Sequence, residues 1–114
     1  MNVELMEQSA TNAADFLRSL ANEKRLMIVC QLAEGEKSVG EICDALDARQ
    51  STVSQQLALL RRDGIVSARK EAQTVYYSLS NDRARQVIEL LYGMFCAQPA
   101  AAKSSKRSRD KTAA

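Results

Sequence analysis

Gly64 separates two kinds of periodicity. Before it, apolar residues recur at three- and four-residue spacing; after it, Val75, Tyr77 and Leu79 alternate with Tyr76 and Ser78. The first spacing belongs to amphipathic helices and the second to half-exposed strands. Helical spacing returns after Asn81. In 114 residues this order leaves room for one domain, a mainly α body carrying one β-hairpin.

The element ends are legible. A first helix is expected over residues 4–20, with Ala13, Phe16, Leu17 and Leu20 on one face. Asn22 reads as the N-cap of a second helix over 23–33, whose expected stripe is Leu26, Val29, Cys30 and Ala33, and Gly35 stops it. Ser38 and Glu41 have capping-box spacing and open a short third helix ending near Leu46. Residues 47–50 form a tight connection, and a fourth helix runs over 51–63. Strands are expected over 66–69 and 74–79, with residues 70–73 as the hairpin tip. Asn81 caps a last helix over 82–96. The expected domain is residues 1–96. Residues 97–114, rich in Ala, Ser, Lys and Arg, are expected to be a disordered basic tail.

Charge divides the same way. Residues 1–96 carry a net charge of −2 and residues 97–114 carry +4. Bulk charge therefore does not mark the folded body as a nucleic-acid binder, and local placement must carry that case. The tail reads equally as a DNA tether or a solvated end. No apolar run approaches the roughly 20 residues that span a membrane, and the N-terminus has no signal-peptide pattern. A cytoplasmic protein with no membrane partner is expected. Its three cysteines would then be reduced thiols. Histidine is absent, which removes the commonest general base and metal ligand.

The fourth helix carries the strongest functional signal. With Val53, Leu57 and Leu60 turned inward, Ser51, Ser54, Gln55 and Ala58 face outward, and Thr52 lies at the edge. No acidic residue occurs on this helix before Asp63. Hydroxyls and amides without carboxylates suit a helix that enters a DNA major groove. Gln reads adenine in a bidentate way, and a helix N-terminus favours a phosphate. Arg49 and Gln50 precede the helix, and Arg69, Lys70 and Gln73 lie on the hairpin. The candidate DNA-binding set is thus Arg49, Gln50, Ser51, Thr52, Ser54, Gln55, Arg69, Lys70 and Gln73.

Two segments resemble the arsenic-repressor family of bacterial winged-helix regulators. They are Leu20-Ala21-Asn22-Glu23-Lys24-Arg25-Leu26, and Ser54-Gln55-Gln56-Leu57-Ala58-Leu59-Leu60-Arg61 with Gly64-Ile65-Val66. The resemblance extends over most of residues 13–96. It implies a winged helix-turn-helix of five helices and a two-stranded β-hairpin wing, forming a homodimer through its first and last helices. The many apolar residues of the last helix (Val87, Ile88, Leu90, Leu91, Tyr92, Met94 and Phe95) independently call for a second burying partner.

The metal sites of the family are not matched. Ser38-Val39-Gly40 stand where some members have a Cys-Val-Cys element, and the histidines of the other site are absent. Cys43 alone is a poor soft-metal site. Neither a metal nor another cofactor is expected. Cys30 and Cys96, with Glu34-Gly35-Glu36 and Ser38-Val39-Gly40-Glu41, are similar to the dithiol branch that contains biofilm growth-associated and sulfide-responsive repressors. That likeness implies sensor thiols at Cys30 and Cys96. It also implies a persulfide or polysulfide inducer and release of operator DNA to derepress sulfide-detoxification genes. We further expect the two sulfurs to stand too far apart for an unstrained disulfide, which needs Cα atoms within about 7 Å.

Other readings stay open on sequence. A general thiol redox regulator, working through a plain disulfide and including an anti-silencing activator, uses the same residues. A metalloregulator and a protein-interaction bundle fit less well. An enzyme is disfavoured: there is no histidine, no Gly-rich phosphate loop and no nucleophile set beside a base.

Overall fold

The computed structural model describes residues 1–96; the expected tail at 97–114 lies outside the described residues. The elements run α1 (Val3–Leu20), α2 (Glu23–Ala33), β1 (Lys37–Ser38), α3 (Val39–Leu46), α4 (Gln50–Arg62), β2 (Val66–Glu71), β3 (Thr74–Leu79) and α5 (Asp82–Phe95).

Local chemistry explains most boundaries. The Asn22 side chain accepts from the amides of Lys24 and Arg25, at 2.9 and 3.2 Å. Asn81 accepts from the Ala84 amide at 3.0 Å. Ser38 Oγ accepts from the Glu41 amide at 3.2 Å, and the Ser38 amide donates back to Glu41 Oε1 at 2.8 Å, closing the capping box. Helix α4 ends in a reciprocal pair of backbone bonds: the Gly64 amide donates to the Arg61 carbonyl and the Ile65 amide to the Leu60 carbonyl. This stop needs a left-handed residue, and Gly64 supplies it at φ +76°.

The core gathers one face from each layer. Val53, Leu57 and Leu60 of α4 are at most 1% exposed. They meet Ile28, Val29 and Leu32 of α2, Ile42 of α3, Ile65 and Val66 at the entry to β2, and Ala84 and Ile88 of α5. On α2 the expected stripe needs correction. Ile28, Val29 and Leu32 are the deeply buried residues, whereas Leu26, Cys30 and Ala33 are only half-buried. The cause is that α1, α3, α4, α5 and β3 all pack on α2, so its buried arc is wider than a single stripe.

The sheet also departs from a simple hairpin. It has three antiparallel strands in the order β1-β3-β2, with Lys37 opposite Tyr77 and Ser38 opposite Tyr76. The Ser38 cap requires extended backbone (φ −81°, ψ 165°), and that extended pair lies against β3. The hairpin is also longer than expected. Lys70 and Glu71 remain paired in β2, so only Ala72 and Gln73 form the tip.

Two helices keep apolar side chains in the open. Val3, Leu5, Met6 and Leu17 of α1 and Leu90, Tyr92, Met94 and Phe95 of α5 are all more than half exposed. No helix among the described residues is long and apolar enough to cross a membrane.

Candidate nucleic-acid interface and thiol pair

Helix α3, a left-handed Asp47 at φ 52° and helix α4 form a tight helix-turn-helix. Asp is among the few side chains that tolerate this conformation. The start of α4 differs from that of its neighbours. Asn2, Ser38, Asn22 and Asn81 cap α1, α3, α2 and α5 with side-chain oxygens, whereas Arg49 gives α4 no side-chain cap. The first amides of α4 are therefore left without an acceptor from the cap, and no acidic residue sits in its first turn. Free amides and the positive end of the helix dipole make such a terminus attractive to an anion.

Six of the residues singled out in the sequence fall on this one feature. Arg49, Gln50, Ser51 and Gln55 are exposed, and Thr52 and Ser54 are half-buried at its flanks. Gln56, one position on, is committed inward: its Oε1 accepts from Arg25 Nε at 2.8 Å. The outer face of α4 is thus polar, free of carboxylates and open.

The wing residues divide. Lys70, in β2, and Gln73, at the tip, are exposed. Arg69 is clamped. Its Nε and Nη2 donate to the two carboxylate oxygens of Glu36, both at 2.8 Å, and its Nη1 donates to Glu71 at 3.1 Å. Its guanidinium also lies 4.8 Å from the centroid of the Tyr76 ring. The two carboxylates raise the Arg69 pKa further, and the same pairing holds the Glu36 carboxyl below its ordinary range. This arrangement is not legible in the sequence. Glu36 is 33 residues from Arg69, and no local pattern joins them.

All three cysteines are free thiols. Cys30 is half-buried on α2, and Cys96 is exposed as the C-cap of α5. Burial pushes the Cys30 thiol above the ordinary thiol range, and the charges of Cys96 and Glu34 push it the same way. The fold therefore sets these two thiols within electrostatic reach of each other. Cys43 is half-buried on α3 and packs against the core. Among the described residues, no group of three or more Cys, Asp or Glu side chains gathers to hold a metal.

A helix-turn-helix with an uncapped, acid-free second helix and a hairpin wing defines a winged-helix DNA-binding protein. Comparison with known proteins agrees. The family model for the bacterial regulatory proteins of the arsR family matches residues 22–68. The transcriptional activator HlyU of Vibrio cholerae is 49% identical over 96 residues, spanning 84% of this chain and 89% of its own. A biofilm growth-associated repressor of Agrobacterium fabrum is 52% identical over 92 residues, spanning 81% and 79%. The crystal structure of the transcriptional repressor BigR from Xylella fastidiosa superposes with a TM-score of 0.82 at 44% identity, covering 86% of this chain and 100% of that one. The chain belongs to the arsR family; it is a DNA-binding transcription regulator, not an enzyme.

Proposed function

We propose that this protein is a homodimeric repressor that reads operator DNA through α4 and releases it when Cys30 and Cys96 become joined through sulfur. One observation carries the DNA half of this reading: α4 starts without a side-chain cap and presents a carboxylate-free polar face. Gln55, Ser51, Thr52 and Ser54 face base edges. Arg49, Gln50 and the free amides hold a phosphate, and Lys70 and Gln73 meet the backbone beside the wing, where Arg69 stays clamped by Glu36 and Glu71. The exposed apolar faces of α1 and α5 support a dimer, which places two reading helices one DNA turn apart.

The sensing half rests on the two thiols. Cys96 is exposed and Cys30 is half-buried, so Cys96 attacks first. With an organic trisulfide as inducer, the Cys96 thiolate attacks the central sulfur and expels one thiolate. Cys30 then attacks that same sulfur, expels the second thiolate and leaves a Cys30–S–Cys96 bridge with one added sulfur atom. Two protein thiols are oxidised and the trisulfide is reduced to two thiols. The added atom widens the gap that can be bridged beyond that of a plain disulfide. The names of the relatives include both repressors and an activator. Activation by displacing another DNA-bound protein is the second reading of output, and it leaves the site chemistry unchanged.

The test treats reduced protein with glutathione trisulfide or with hydrogen peroxide, and divides each sample between intact-mass analysis and binding to its own promoter. The expected result is a crosslink one sulfur heavier than a disulfide, with lost DNA binding, and no effect of peroxide. Equal responses to both oxidants would replace this reading with a general thiol switch.

A further inference from the structure

A second site shares no lining residue with the helix-turn-helix turn. A cavity of about 540 Å³ opens between α1, the C-terminal end of α4, the start of α2 and the start of α5. That volume falls within the range of small-molecule sites. Four arginines and two aspartates line it: Arg18, Arg25, Arg62, Arg83, Asp15 and Asp63.

The two carboxylates are already occupied. Asp15 accepts from Arg18. Asp63 accepts from Arg62 Nε at 3.0 Å and lies 3.0 Å from the buried Ser19 hydroxyl, and these contacts hold its carboxyl below the usual range. The other two arginines donate to no carboxylate, although the Arg25 charge helps hold the Asp63 carboxyl low. Arg25 donates only to neutral oxygens, Gln56 Oε1 at 2.8 Å and the Arg18 carbonyl at 3.3 Å. The Arg83 side chain has no hydrogen-bond or ion-pair partner among the described residues. Asp82 adjoins Arg83 in the first turn of α5 but does not line the cavity. Four guanidinium groups therefore share one polar recess with two carboxylates, and Arg83 has no ion-pair partner there.

We propose that this recess is a binding site for a small phosphorylated molecule, with the phosphate oxygens held by Arg25 and Arg83. Guanidinium is the side chain best shaped for phosphate, because its planar fork gives paired, charge-assisted bonds. The recess suits a compact phosphorylated ligand rather than a DNA backbone, because its walls come from four converging elements. It uses none of the α4 N-terminal, wing or thiol residues assigned above. Its success or failure is therefore independent of the proposed function.

The experiment is calorimetric titration of the reduced full-length protein with inorganic pyrophosphate, in phosphate-free buffer at constant ionic strength. Saturable binding at one site per protomer is expected. Arg83→Gln should weaken it about tenfold or more, the usual loss for a charge-assisted bond. Arg25→Lys, which keeps the charge but loses the fork, should weaken it by less. Arg61→Gln, an exposed cation outside the recess, should leave it unchanged. Circular dichroism of each variant excludes unfolding as the cause. Unsaturable heat, or equal weakening by Arg61→Gln, would overturn the site. So would the absence of pyrophosphate binding together with weaker, less salt-sensitive DNA binding by Arg83→Gln, which would make Arg83 a DNA contact.

Discussion

The clamp on Arg69 sets up a quantitative prediction about DNA binding. Each phosphate that a protein cation neutralises releases counterions, and it steepens the plot of log K against log salt by about 0.9. In the free protein Arg69 is already neutralised: Glu36 engages two of its nitrogens at 2.8 Å each, and Glu71 a third at 3.1 Å. An arginine so paired contributes little to counterion release while the pairing survives. Glu36→Gln keeps the shape of the partner and removes its charge. The remaining Glu71 contact is single, longer and on an exposed side chain, so a phosphate competes with it readily.

Glu36→Gln should therefore raise operator affinity at low salt and steepen the salt slope by up to about 1.8 for a dimer with two wings. Arg69→Gln alone should hardly change the slope. The double variant should return to the wild-type slope, because the gain in Glu36→Gln runs entirely through Arg69. Fluorescence anisotropy over a range of potassium chloride concentrations supplies all four slopes. Two outcomes would refute the reasoning. If Arg69→Gln alone flattens the slope by about 1.8, Arg69 already exchanges Glu36 for phosphate in the wild type. If Glu36→Gln weakens binding at constant slope, Glu36 acts by fixing the wing in place and not by masking a charge.

Three further changes probe the fold and the thiols. Leu57 is fully buried, so Leu57→Ala should cost about 2–5 kcal/mol in chemical denaturation at matched protein concentration. Ala72 holds φ 56° at the first position of the two-residue hairpin tip, where L side chains are strained. Ala72→Gly should raise the thermal midpoint by a few degrees, corresponding to somewhat under ~1 kcal/mol. The raised Cys30 pKa keeps its neutral thiol favoured in the fold, chiefly through burial and then through Cys96. Mass-resolved alkylation at pH 8 should accordingly be slower at Cys30 than in a model peptide and accelerate as pH rises. Removing one upward influence by Cys96→Ser should lower that pKa and speed the reaction at fixed pH.

What the sequence made legible follows from how local each cause is. The caps at Asn22, Ser38 and Asn81 act within three residues, and all three are present. The inward face of α4 needs only helical spacing and one core, and Val53, Leu57 and Leu60 are buried together. Strand β1 was not legible, because two residues carry no period; its extended shape comes from the cap at Ser38 and its pairing from β3, far along the chain. Helix α2 misled because a helix covered from several sides shows no single stripe. The wing tip misled for a simpler reason. Lys70 and Glu71 are polar because β2 is exposed there, and an exposed strand end has the same polarity as a turn. In the candidate site, the residue types and their grouping on α4 were readable. The pairing of Glu36 with Arg69 was not, because it joins the loop before β1 to strand β2 through space.

The packing also decides which part of the molecule a Cys30–Cys96 bridge would move. Around Cys30, α2 is fixed: Ile28, Val29 and Leu32 are each at most 1% exposed. Its C-terminal end is tied to the sheet, because Lys37 Nζ donates to the Gln31 carbonyl at 3.1 Å and to Glu34 at 2.9 Å, and Lys37 itself pairs with β3. Helix α5 is held differently. Its buried residues, Ala84 and Ile88, lie in its first half, and beyond them Leu90, Tyr92, Met94 and Phe95 are exposed. A bridge therefore displaces the weakly held end of α5 and not the anchored end of α2. On the proposed function that end forms the dimer contact, so the change alters the spacing between two intact reading heads. Hydrogen–deuterium exchange on reduced and bridged protein should then differ most over residues 89–96 and little over α3 and α4. A change concentrated in α4 would mean instead that the bridge distorts the reading helix itself.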